Sequence, residues 1–136
     1  MPRILAIIGS GELTPSMAPL HRALLARLGE GPVPATLLDT PYGFQENAAE
    51  ITAAAVGYFE KRLRNPISVA SFRGSGGDIL ERETALARVR EAAYVFSGPG
   101  SPSYALRHWT DSEIPGLLAD KLAGGGALVM ASAAAL

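Results

Sequence analysis

Gly126-Ala127-Leu128-Val129-Met130-Ala131-Ser132-Ala133-Ala134 is the stretch that decides the fold: an unbroken apolar run breaks into small residues with a serine at the corner. A strand buried on both faces reads as a continuous apolar run rather than an alternating one, and such strands belong to parallel sheets covered by helices. A sharp strand-to-helix turn here exposes the Ser132 hydroxyl, sets a helix N-terminus behind it and makes the Ala133 amide an oxyanion donor. Ala134 is small enough, two places after the serine, for the turn to close, whereas Met130, two places before it, is bulky. A serine ahead of an alanine-rich segment also reads as a plain helix N-cap, and the run alone leaves both readings open.

Working back from this corner, four more apolar or β-branched runs predict strands at 3–8, 35–39, 67–72 and 94–97, with the last strand at 127–131. Helical patterns separate them. Thr14-Pro15 signals a helix start, and Met17, Leu20, Leu24 and Leu28 keep helical spacing up to Gly29. Asn47 with Glu50 predicts a capped helix whose stripe is Ile51, Ala54, Ala55, Tyr58, Phe59 and Leu63, ended by Asn65-Pro66. Asp78 predicts the cap of a third helix, with Leu80, Ala85, Leu86 and Val89 inward and Arg82, Glu83, Arg88 and Arg90 outward. A short helix over 103–109 and another from Ser112-Glu113-Ile114-Pro115 to Gly124 complete the series. Strands alternating with helices imply βαβ units, so the expected fold is α/β: a three-layer, doubly wound, mostly parallel sheet of about five strands.

Composition agrees with one packed domain over 1–136, since 48% of the residues are apolar and 18% charged. The net charge of -1, with no run of like charge, excludes nucleic acid and anionic membranes as expected partners. The absence of cysteine excludes thiolate metal sites, disulfides and a cysteine nucleophile. No metal or other cofactor is expected. The first apolar run is too short for a signal core or a membrane span, so a cytoplasmic setting is expected.

In doubly wound sheets ligands bind beyond the carboxyl ends of the strands, so the loops there are the candidates for chemistry. Gly9-Ser10-Gly11-Glu12-Leu13-Thr14 resembles the start of a dinucleotide fingerprint, but it lacks the third glycine, and the favoured reading is a tight turn beneath a neighbouring site. The loop 39–47 brings two aromatics together with amide and carboxylate groups. Tyr42, Gln45, Glu46 and Asn47 are its candidate substrate-wall residues, against a reading as a turn with Asn47 as cap and Phe44 as hydrophobic staple. The loop 73–78 reads as a flexible connection or an anion nest. In Gly98-Pro99-Gly100-Ser101, glycines flanking a proline let backbone amides face outward; Pro99 has no N–H, so Gly100 is the candidate oxyanion donor and Ser101 a substrate contact. His21 and His108 fall within predicted helices, where packing or surface roles are the expectation.

Val95-Phe96-Ser97-Gly98-Pro99-Gly100, followed by the Gly126–Ala134 run, resembles the serine peptidase family of dipeptidase E and cyanophycinase, whose fold is similar to that of glutamine amidotransferases. The resemblance implies a serine hydrolase or peptidase acting on peptide or related amide bonds, with Ser132 as nucleophile and the amides of Gly100 and Ala133 holding the oxyanion. Two places depart from the family. Its Gly-X-Ser-Ala-Gly is here Met130-Ala131-Ser132-Ala133-Ala134, and its triple glycine is interrupted by Pro99. The family's catalytic histidine and acidic partner come after the nucleophile, so the resemblance implies a domain incomplete at its carboxyl end and inactive alone. Apolar surface at Leu128 and Met130 is then expected to lie uncovered and to drive homo-oligomerisation. The alternative is a non-catalytic small-molecule-binding domain of the same fold.

Overall fold

The computed structural model describes residues 2–8, 13–72, 79–98, 100–110 and 112–131. Serine 132 and alanine 133, the residues 9–12 and 73–78, and Pro99 lie outside the described residues, and with them Asp78 as a helix cap. Among the described residues, five strands form one parallel sheet: β1 (Arg3–Ile8), β2 (Ala35–Leu38), β3 (Ser68–Ala70), β4 (Tyr94–Ser97) and β5 (Gly126–Ala131), in the order β1-β5-β4-β2-β3. The helices are α1 (Ala18–Leu28), α2 (Ala48–Lys61), α3 (Ile79–Glu91), α4 (Pro102–Trp109) and α5 (Ile114–Gly124). The expected α/β class and parallel sheet are therefore present.

Alternation along the strands builds two cores. Leu37, Tyr94, Phe96, Ala127, Val129 and Ala131 point to one face and meet Leu24 and Leu25 of α1 and Ala55, Tyr58 and Phe59 of α2. Leu38, Val95, Leu128 and Met130 point to the other and meet Leu86 and Val89 of α3 and Ile114 and Leu118 of α5. Each fully buried side chain of this size contributes about 1.5–3 kcal/mol by leaving water, so both faces resist truncation.

Several expectations need correcting. Leu128 and Met130 are 5% and 7% exposed, because α3 and α5 already cover that face. Exposed apolar side chains lie elsewhere, among them Leu5 and Ile7 on edge strand β1, 53% and 64% exposed. Leu80 points outward, because helical phase places Ala85, Leu86 and Val89 against the sheet. In α1 the buried set is Ala18, His21, Leu24 and Leu25, so Leu20 faces out. β3 is three residues long rather than six, because the amide of Phe72 bonds to the Asp39 carboxylate (2.7 Å) instead of continuing the ladder. Asn47 precedes α2 without a side-chain cap; its ψ of 20° lies outside the extended region that aims a capping oxygen at the helix, and successive backbone turns from Tyr42 lead into the helix.

His21 is fully buried in an aromatic box of Tyr58, Phe59, Tyr94 and Phe96, with Nδ1 2.7 Å from the Tyr94 hydroxyl. It is a core residue, as a histidine on an apolar helix face is expected to be. Among the described residues no helix is long and apolar enough to cross a membrane.

Candidate functional site

The order of the strands creates a switch point. The chain leaves β2 for α2 on one face of the sheet, whereas after β4 it proceeds to α5 on the other, and β2 and β4 are neighbours. Loops that diverge from adjacent parallel strands leave a crevice at the strands' carboxyl ends, the usual ligand position in such folds.

Here the two loops are clasped together. The amide of Ser101 donates to the carbonyl of Pro41 at 2.7 Å, and a Cβ on Gly100 would fall 2.0 Å from that same oxygen. Gly100 has φ 138°, which L side chains rarely adopt, so the close approach and the backbone conformation both demand glycine. Gly98 plays the matching part toward β5. Its φ is 124°, and a Cβ there would lie 2.2 Å from the carbonyl oxygen of Ala131. The loop after β4 thus touches the loop after β2 on one side and, on the other, the last residue of β5, the one before Ser132. Ser97, buried at the end of β4, donates to the Leu38 carbonyl at 3.0 Å and locks the two strand ends together.

Of the expected wall residues, Tyr42 has no exposed surface: it is part of a 3-10 turn over Thr40–Tyr42, and its hydroxyl pairs with that of Thr52 at 2.8 Å. It supports the loop from beneath instead of facing a substrate. Glu46 and Asn47 are exposed and Gln45 is half-buried. The Ser101 side chain caps α4, accepting from the amide of Tyr104 at 3.2 Å. Of the two oxyanion candidates, only Gly100 falls among the described residues.

Two features beyond these expectations flank the clasp. Phe44 is 53% exposed and its ring lies 5.0 Å from that of Tyr104, which in turn lies 4.3 Å from the imidazole of His108. Tyr104 and His108 are four apart on α4, so they share one helix face, a spacing that was legible in the sequence; the partnership with Phe44 was not. The second is Asp39, 1% exposed, whose carboxylate accepts from the Ser71 hydroxyl (2.9 Å) and the Phe72 amide (2.7 Å). It ties the ends of β2 and β3 together.

No protein-family model matches the chain, and no curated protein sequence does. Solved structures do resemble it, two of them peptidases by name. One is a peptidase from an acI-B1 Actinobacterium, with a TM-score of 0.80 and 21% identity, covering 96% of this chain and 54% of its own. The other is a candidate peptidase E from Listeria monocytogenes EGD-e, with a TM-score of 0.63 and 14% identity, covering 98% of this chain and 60% of its own. The chain therefore spans little more than half the length of these structures. At such identities the likeness concerns the fold, and the fold is peptidase E-like.

Proposed function

We propose that this chain is the front part of a serine hydrolase acting on peptide or related amide bonds, with Ser132 as nucleophile. The observation that carries the reading is the contact of Gly98 with the carbonyl of Ala131, which sets a glycine-containing loop against the residue before the serine. In this reading Ser132 attacks the carbonyl carbon of the substrate, and the amides of Gly100 and Ala133 stabilise the oxyanion of the tetrahedral intermediate. Collapse of the intermediate expels the amine, which needs a proton from a general acid, and water then releases the acyl group.

In this reading the general base is a histidine, held by an acidic partner, that comes after the nucleophile in the longer protein. His21 is buried in its aromatic box, and His108 stacks on Tyr104 on an outer helix face. Members of such a triad act as a unit, so lacking the base lowers turnover by about four to six orders of magnitude. The exposed Glu46, Asn47 and Phe44 with half-buried Gln45 and Ser101 supply the substrate wall.

The experiment is hydrolysis of short peptide amides by the full-length protein and by its Ser132→Ala variant. Loss of turnover in a folded variant supports the reading. A folded full-length protein that binds such compounds without cleaving them points instead to a non-catalytic binding domain of this fold.

A further inference from the structure

At the opposite end of the sheet, where the chain enters β2 and β3, an open groove of about 450 Å³ lies between α1 with the loop that follows it and the segment 63–65 that follows α2. Its walls include apolar Leu25, Pro32 and Leu63, and its rim carries Arg22, Arg64 and Glu30. Arg22 reaches across from α1 and donates to the backbone carbonyl of Arg62 at 3.1 Å, which leaves most of its guanidinium donors unspent among the described residues.

Arg64 is the second observation. It has φ 52°, the single non-glycine residue at positive φ among the described residues. It occupies the left-handed position that ends α2, where the amide of Asn65 bonds back to the carbonyl of Phe59 at 3.0 Å. Glycine is the usual occupant of such a position, and any other side chain is strained there. The carboxyl ends of both helices call for basic residues, but Arg27 and Lys61 in their last turns already answer that need. Among the described residues, no ion pair engages Arg22, Arg62 or Arg64. Strain of this kind persists where a side chain is needed for something else.

We propose that this groove binds a phosphate-bearing small molecule, with Arg22 and Arg64 gripping the phosphoryl oxygens and Leu25, Pro32 and Leu63 packing against its organic part. Guanidinium forks match phosphate geometry, and the positive surplus over Glu30 favours a dianion. The site is separate from the switch-point crevice and stands or falls independently of the hydrolase reading.

The test is calorimetric titration of the chain with phenyl phosphate and with inorganic phosphate, at ionic strength matched by chloride. Phenyl phosphate should bind more tightly than inorganic phosphate. Arg22→Gln and Arg64→Gly should each weaken binding about tenfold or more, the loss of one charge-assisted hydrogen bond. Arg64→Gly separates binding from folding, because relief of the left-handed strain should raise its melting temperature by roughly 3 °C while its affinity falls. Glu30→Gln should tighten binding. Absence of heat beyond the chloride control, or an Arg64→Gly variant that binds as tightly as the parent, overturns the proposal.

Discussion

The Cβ that Gly98 lacks would lie 2.2 Å from the carbonyl oxygen of Ala131, so the loop after β4 and the end of β5 are in backbone contact. Substituting Gly98 by alanine forces a non-glycine residue to φ 124° and drives its methyl into that carbonyl. Backbone strain and overpacking each cost about 1–3 kcal/mol. Gly98→Ala should therefore lower unfolding free energy by about 2–4 kcal/mol, read as a shift of the denaturant midpoint; an unchanged midpoint would mean that the contact is not made.

Asp39 should be worth more to stability than its place in a loop suggests. Asp39→Ala strands the buried Phe72 amide, and a stranded buried donor costs about 1–3 kcal/mol. Asp39→Asn keeps an acceptor and should cost less. Urea melts of the two variants give the comparison, and equal loss in both would show that charge, not acceptor geometry, matters there.

The Tyr94 hydroxyl is pushed well above its ordinary range by burial and then by the nearby Tyr58 hydroxyl. Its folded-state value lies above its unfolded one, so the folded chain keeps a proton that the unfolded chain releases. The stability this confers is fully present below about pH 10 and falls as pH rises further, with a slope of about 1.4 kcal/mol per pH unit for each such group. Tyr94→Phe should flatten that alkaline limb. At neutral pH it should cost about 1 kcal/mol, through the lost bond to His21 Nδ1. Unfolding free energies measured from pH 8 to 11 decide it: an equally steep limb in the variant assigns the effect to another group.

Edge strand β1 exposes Leu5 and Ile7 and has its outer hydrogen-bonding side open in the described sheet. Such an edge invites pairing with another chain. The isolated chain should self-associate with rising concentration, and Ile7→Lys should hold it monomeric in sedimentation analysis. Monomeric behaviour of the parent at high concentration would refute this.

Much of the architecture was legible because buried parallel strands leave continuous apolar runs: β1 and β4 begin and end where those runs do. What was not legible depends on residues distant in the chain. The burial of His21 rests on Tyr94, 73 positions away, and no local pattern announces it. The inward turn of Tyr42 rests on Thr52, and the shortening of β3 on a carboxylate that competes with the strand ladder. Leu80 and Leu20 read as core because their spacing suits an apolar stripe, whereas the buried residues of both helices fall on a neighbouring face. At the candidate site, the glycines around Pro99 were visible as turn formers. Their reason, contact with Pro41 on one side and Ala131 on the other, is a property of strand order.

The most direct measurement is fluorophosphonate labelling of the full-length protein, followed by peptide mass mapping. A serine hydrolase of the kind proposed should carry one adduct, on Ser132, abolished by Ser132→Ala. A correctly folded full-length protein that stays unlabelled, or whose adduct maps to another serine, would contradict it.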